Sequence, residues 1–223
     1  MNTRIVELRK NILNKNDTLA HDLRSRFHAA GVTVFNWVSS PGTGKTELLK
    51  QTLIRLRNMG YHSAALVGDL ETDNDAVRLA ESGSPARQIK THTLCHLEAD
   101  MVERNLEGWN LADLDFLFIE NIGNLVCPAA WDLGEDIRIV LLSATEGEDK
   151  PLKYPKLFHT ADVVVLTKMD LAEPCEFDRH KAEQNVFAIR PGIPILATSA
   201  KRGTGLENLC DYLISCRREE QLQ

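Results

Sequence analysis

The chain has 223 residues, 43% hydrophobic and 26% charged, with a formal net charge of -6. That suffices for one sizeable α/β domain with its own core, and the acidic balance gives no reason to expect nucleic acid or an anionic membrane as partner. No apolar run is long enough to span a bilayer. Met1 to Lys15 has no signal-peptide apolar region, and the 5 cysteines, an odd number without a C-x-x-C pair, argue against a disulfide framework. A cytoplasmic location is expected.

Ile5, Leu8, Ile12, Leu19, Leu23 and Phe27 stand near helical spacing, so residues 5–30 read as a helix, with an interruption expected at Asn14 to Asp17 and a stop at Gly31. It would pack on the rest of the chain or on a partner. The apolar run Val32 to Val38 is the first strand. Ser39-Ser40-Pro41-Gly42-Thr43-Gly44-Lys45-Thr46 follows, and a helical pattern leads out through Leu48, Leu49, Leu53 and Leu56 to about Asn58. Strand, glycine-bearing turn, Lys-Thr and helix is the context of a phosphate-binding P-loop. Backbone N–H groups of Gly42, Thr43, Gly44, Lys45 and Thr46 would cradle phosphate oxygens at the positive end of the helix. Lys45 would neutralise the outer phosphates and the Thr46 hydroxyl would take a position on Mg²⁺. The first glycine of the usual pattern is replaced by Ser39, which serves if that residue keeps φ below zero.

Ser63 to Val67 is a second strand, ending in Gly68-Asp69. Leu70-Glu71-Thr72-Asp73-Asn74-Asp75-Ala76 is dense in carboxylates and opens a helix through Leu79. Ile89 to Thr91 is a short strand. Leu94 to Leu106 reads as a helix with Cys95 and His96 at its start. Asp115 to Glu120, Ile137 to Leu142 and Val163 to Leu166 are further buried strands. A polar helix is expected over Glu176 to Ile189, a last strand over Ile195 to Thr198, and a closing helix over Leu206 to Cys216 with a fraying charged tail. Apolar strands alternating with helices predict a P-loop NTPase fold, a mostly parallel sheet covered on both faces. We divide the chain into an N-terminal helical segment, 1–30, and a nucleotide-binding domain, 31–223.

In such a sheet the strand C-terminal ends gather on the phosphate side. Asp69, Thr46 and Glu120 can therefore converge on one Mg²⁺, with Glu120 acting as a Walker-B-type carboxylate through water. The lesser reading of Glu120 is a solvated strand-end acid. Asp75 is a candidate for orienting the attacking water, and Asp73 and Asp75 also fit as solvated acids favoured by a helix start. Thr167-Lys168-Met169-Asp170 resembles the N-K-x-D motif with which GTPases read the base. The Asp170 carboxylate can accept two hydrogen bonds from guanine N1 and N2, a pair of donors adenine lacks, and the Lys168 stem can lie along the base. Thr167 replaces the usual Asn and keeps only a local hydrogen bond. Ser199-Ala200-Lys201 resembles the companion loop whose backbone N–H reaches guanine O6. Together these favour GTP and GDP over adenine nucleotides.

With those residues read, the chain resembles the hydrogenase nickel-incorporation GTPases, the HypB family within the SIMIBI class. The resemblance rests on the P-loop, Gly68-Asp69 with Asp75-Ala76-Val77-Arg78, Cys95-His96-Leu97-Glu98-Ala99, Ile119 to Pro128 with Asn124-Leu125-Val126-Cys127-Pro128, and Glu146 to Pro155. It implies a GTP-hydrolysing metallochaperone that dimerises with GTP. It also implies delivery of Ni²⁺ to nickel–iron hydrogenase; intrinsic hydrolysis is expected to be slow, because phosphoryl transfer depends on positioning that a partner completes. Its implied partners are a second copy, a nickel chaperone of the HypA type and the hydrogenase large-subunit precursor. The implied Ni²⁺ or Zn²⁺ site is Cys95, His96 and Cys127. Thiolate and imidazole suit both metals, a helix start favours a Cys95 thiolate, and three ligands per chain leave a fourth to water, a shared thiolate or a dimer. Read singly, each of the three is as well a buried structural residue.

His92 stands where the family has Gly, and Glu98 where it has Asp. The given N-terminus shows no Cys-x-x-Cys-Gly-Cys or histidine-rich tract, so no high-affinity nickel site is expected there. Lys150 and Lys153 lie in a Pro-containing loop, available for a cross-dimer nucleotide contact or for plain solvation. Cys175, Cys210 and Cys216 read as structural. The alternatives to this reading are an accessory GTPase for another metalloenzyme, such as urease, and a metal-binding scaffold that does not turn over.

Overall fold

The computed structural model describes residues 3–69, 74–91 and 93–217, with side chains from residue 11 onward. Leu70 to Asp73, His92, the side chains of Ile5 and Leu8, and the end of the charged tail lie outside the described residues.

Every residue of β1 (Thr33–Val38) is buried, and its side chains alternate between two covered faces. Phe35 and Trp37 meet Leu48, Leu49, Leu53 and Leu56 of α2 (Lys45–Asn58). Val34 meets Ala20, Leu23 and Phe27 of α1 (Thr3–Ala29). Each such Leu or Phe contributes about 1.5–3 kcal/mol by leaving water, so α1 is held on the sheet by its C-terminal half.

The chain continues through β2 (Ser63–Asp69), α3 (Asn74–Ala80), β3 (Ala86–Lys90), α4 (Ala99–Asn105), β4 (Phe116–Glu120) and β5 (Ile137–Ser143). It ends with α5 (Lys150–Lys153), α6 (Pro155–Thr160), β6 (Val163–Thr167), α7 (Arg179–Ile189), β7 (Ile195–Ala197) and α8 (Leu206–Ser215). The strands pair in parallel throughout, in the order β3-β2-β4-β1-β5-β6-β7. α2 and α8 cover one face, while α1 and α4 with α6 and α7 cover the other. β1 is central, and Glu120 of β4 lies level with Trp37 on one side and Val67 on the other. Glu120, Asp69 and the P-loop therefore emerge along one sheet edge.

Four local expectations are corrected. α1 runs unbroken through Asn14 to Asp17, because Asn16 is buried and bonded at both ends of its amide: Nδ2 donates to the Asp132 carbonyl at 2.8 Å and Oδ1 accepts from Ala99 N at 2.9 Å. The helix expected from Leu94 is only α4, from Ala99. The turn before it is tied elsewhere, with Thr91 Oγ1 donating to the Leu94 carbonyl at 2.9 Å and Asn121 Oδ1 accepting from Leu97 N at 3.3 Å. The loop around Lys150 and Lys153 contains α5 and α6, with Pro151 and Pro155 in their first turns, where no helical N–H is needed. The polar helix starts at Arg179, capped by Asp178, whose carboxylate accepts from Lys181 N at 3.0 Å.

Candidate functional site

The P-loop bends through Gly42 (φ 75°) and Gly44 (φ 91°), both in the left-handed region that a side chain resists. Ser39 is not among the positive-φ residues, so the serine fits the first position of the motif. Its Oγ also accepts from Lys45 Nζ at 3.0 Å. The Lys45 ammonium is buried, and burial lowers its pKa against the pull of Glu120, Asp75 and Glu146.

A cavity of about 400 Å³ opens above the loop. Gly42, Gly44, Lys45, Thr46, Asp69, Asp75 and Glu120 line it, together with Arg78. Thr46 Oγ1 donates to Glu120 Oε1 at 2.7 Å. Glu120 Oε2 is buried with no hydrogen-bond partner, and burial pushes the carboxyl up to about 7. An orphaned carboxylate oxygen beside a hydroxyl and a second strand-end acid is an oxygen donor set for a hard cation. The residues thus fit Mg²⁺ with the phosphates of a nucleotide.

A second cavity, about 220 Å³, adjoins the first at Gly44. It is lined by Thr43, Thr167, Lys168, Asp170, Ala200 and Lys201. Thr167 Oγ1 donates to the Thr43 carbonyl at 2.8 Å, and Lys168 Nζ donates to the Gly42 carbonyl at 2.6 Å. The Thr167–Lys168 loop is thereby fastened to the P-loop. Lys168 itself takes a left-handed conformation, φ 54°. Ser199 is set behind this wall, its Oγ donating to Asp170 Oδ1 at 2.6 Å and fixing the carboxylate.

Cys95, His96 and Cys127 come together on two loops, with their donor atoms within 4.8 Å of one another. The two sulfurs are 2.8 Å apart and His96 Nδ1 is 3.9 Å from Cys95 Sγ. Soft sulfur with imidazole nitrogen is a donor set for Ni²⁺ or Zn²⁺. Cys95 lies in the turn ahead of α4, so the expected helix-dipole assistance to its thiolate does not apply. Asn124 holds the two loops together: Nδ2 donates to the Cys95 carbonyl at 3.3 Å, while Oδ1 accepts from Val126 N at 2.7 Å.

Cys127 is joined to Glu120 by a short segment that passes directly over the P-loop. A Cβ on Gly123 would lie 2.8 Å from Pro41 Cα, so glycine is what lets the segment seat there. The cavity above the P-loop and the sulfur cluster thus share one strip of backbone.

Other site-shaping residues escape a reading from sequence. Glu146 Oε2 accepts from Thr43 Oγ1 at 3.2 Å and from Ser143 N at 3.0 Å, tying the P-loop to the segment before α5. Its place in the Glu146 to Pro155 stretch is the only signal. Trp131, stacked on His96 with ring centroids 4.2 Å apart, has none. Lys150 and Lys153 are turned to local partners: Lys153 pairs with Asp149 at 2.6 Å, and Lys150 lies 5.6 Å over the Tyr154 ring.

Residues 33–197 match the family model described as the CobW/HypB/UreG nucleotide-binding domain. The chain is 47% identical over 206 residues to the hydrogenase maturation factor HypB of Azotobacter chroococcum, spanning 92% of this chain and 67% of that protein. It is 44% identical over 210 residues to HypB of Escherichia coli K12, spanning 94% and 72%. Among solved structures, HypB from Helicobacter pylori in complex with nickel superposes with a TM-score of 0.86 at 40% identity, covering 92% of this chain and 95% of that one.

Proposed function

This chain belongs to the HypB family of hydrogenase maturation factors, in the CobW/HypB/UreG group of nucleotide-binding domains, and on that premise we propose that it is a GTP-hydrolysing nickel metallochaperone. Its nucleotide state would govern dimerisation and, through it, the hold on the metal. The observation that carries this reading is the strip from Glu120 to Cys127, which touches both the P-loop and the thiol cluster. In this reading a change at the phosphates that moves Gly123 on Pro41 is passed along the strip to Cys127.

In this reading the Gly42–Thr46 backbone cradles the phosphates and Lys45 neutralises the outer ones. Thr46, Asp69 and Glu120 would hold Mg²⁺. The cation supplies charge neutralisation for the transferring phosphoryl group. Asp75, on the cavity wall, orients the attacking water. Asp170, steadied by Ser199, accepts from guanine N1 and N2, with the Ala200–Lys201 backbone near O6 and Thr167 and Lys168 fixing the loop.

Cys95, His96 and Cys127 hold Ni²⁺, or Zn²⁺ in its place. Three donors leave a coordination position that a second copy or water fills, which makes metal affinity depend on assembly. Hydrolysis then resets the dimer and releases the metal to a nickel-chaperone partner of the HypA type or to the hydrogenase large-subunit precursor, in the cytoplasm. Among the described residues no helix is long and apolar enough to cross a membrane.

The experiment measures phosphate release from GTP together with Ni²⁺ titration. Turnover lost in Lys45→Ala, and Ni²⁺ binding lost in Cys95→Ala/Cys127→Ala, are expected. Turnover indifferent to Lys45 contradicts the GTPase assignment. Nickel binding indifferent to both cysteines contradicts the metal assignment.

A further inference from the structure

Resting on the metal-site reading above, we propose that Glu98 and Trp131 are positioning residues for that site: Glu98 fixes the tautomer of His96 and Trp131 fixes its ring plane. The side chain of His96 is only 11% exposed, and a buried imidazole adopts whichever tautomer its neighbours select. Its Nδ1 is on the thiol side, 3.9 Å from Cys95 Sγ. Among the described residues its buried Nε2 has no hydrogen-bond partner, and it faces Glu98 Oε1 at 3.4 Å. A carboxylate facing Nε2 keeps the proton there and leaves the Nδ1 lone pair for a metal. This is the carboxylate–histidine–metal arrangement by which proteins orient a ligating ring and raise its basicity.

Glu98 is free for that task because its own helix does not use it. It occupies the N-cap of α4, yet its side chain makes no capping bond. The N–H of Ala99 in the first turn is instead satisfied by Asn16 Oδ1 from α1, at 2.9 Å. Glutamate is not among the residues that favour an N-cap, and with the first N–H of α4 taken by Asn16 the carboxylate lies towards the imidazole.

Trp131 addresses the remaining freedom, rotation of the ring. The indole stacks on the imidazole at 4.2 Å with the planes 22° apart. Trp131 is in turn anchored to the sheet, since its carbonyl accepts from Arg138 Nη2 at 2.8 Å. Arg138 is ion-paired with buried Glu135 at 2.6 Å, and Glu135 Oε1 accepts from Asn36 Nδ2 of β1 at 3.0 Å. The ring plane of His96 is therefore referenced to the central strand, although His96 itself sits on a turn.

The test uses the full chain. The His96 tautomer is read from ¹⁵N imidazole shifts in the metal-free protein, assigned with His96→Ala, and Ni²⁺ affinity is read by titration. The wild type is expected to show the Nε2–H tautomer. Glu98→Ala should shift it towards a mixture and weaken Ni²⁺ about 10–100-fold, the usual effect of losing such a partner. Glu98→Gln keeps an acceptor and should retain the tautomer. Trp131→Leu should weaken Ni²⁺ by about tenfold while Trp131→Phe, which preserves the stack, should restore it. Metal-free melting temperatures separate these effects from misfolding. An unchanged tautomer in Glu98→Ala, or wild-type Ni²⁺ affinity in both Glu98→Ala and Trp131→Leu, overturns the proposal. If the wild type binds no metal through its cysteines, the metal-site reading fails instead, and the tautomer still decides the role of Glu98.

Discussion

Replacing Asp170 by Asn isolates the residue that should choose the base. Asp170 Oδ1 already accepts from Ser199 Oγ at 2.6 Å, so the carboxylate is oriented before any nucleotide arrives and little ordering entropy is lost on binding. Its remaining lone pairs face a cavity of about 220 Å³, which also receives Ala200 and Lys201. Two hydrogen bonds from guanine N1–H and N2–H to an ionised acceptor contribute about 1.5–3 kcal/mol each. Asn keeps one acceptor and presents an N–H₂ to a donor, so at least one bond is lost and a donor–donor clash is added. The expected loss is about 3 kcal/mol, roughly a hundredfold in the GDP dissociation constant. Xanthine carries a carbonyl where guanine carries the amino group, and it should gain from the new donor. Calorimetric titration with GDP, XDP and ADP is the assay. GDP binding to Asp170→Asn within threefold of wild type, or equal binding of ADP and GDP by wild type, would refute the guanine-reading assignment.

Further expectations follow from other contacts. Thr167→Val keeps shape but removes the bond to the Thr43 carbonyl; denaturant unfolding should show a loss of about 1–2 kcal/mol, with weaker GDP binding as the two loops separate. Gly123→Ala places a Cβ 2.8 Å from Pro41 Cα; overpacking of this kind costs about 1–3 kcal/mol, and nucleotide and Ni²⁺ affinities should fall together. Burial holds the Glu120 carboxyl at about 7, above its ordinary 4.5, so without Mg²⁺ the folded state binds this proton more tightly than the unfolded chain does. Stability must then fall as pH rises from about 4.5 to about 7. Glu120→Gln, which has no proton to lose, should gain in unfolding free energy relative to wild type between pH 5 and pH 8, by an amount on the order of a few kcal/mol. A gain that is flat across that range contradicts a protonated Glu120.

The strands and the P-loop are legible in sequence because their signals are local. β1, β5 and β6 are mostly apolar and buried on both faces, with Asn36 and Arg138 the polar residues inside them, and Lys45-Thr46 after Gly44 is the start of a P-loop helix. What sequence hides is decided by partners far along the chain. Asn16 looks like a helix breaker until its amide is seen bonded to Asp132 and Ala99. Leu94 and Leu97 have helical spacing, but Thr91 and Asn121 claim their backbone groups. The prolines near Lys150 signal a loop by composition, yet each falls in a first helical turn. Within the site, residue types could be named but not their roles in holding one another. Ser199 behind Asp170, Glu146 beneath Thr43 and Trp131 against His96 join segments that no periodicity connects.

In the proposed mechanism, nucleotide state and metal binding are coupled through the Glu120 to Cys127 strip. The most direct test titrates Ni²⁺ into the protein loaded with GDP and with a non-hydrolysable GTP analogue, while its mass in solution is recorded. A dimer with the GTP analogue, a nickel affinity that differs between the two nucleotides, and loss of that difference in Cys95→Ala/Cys127→Ala are expected. Equal nickel affinity in both states, whatever the mass, would contradict the coupling.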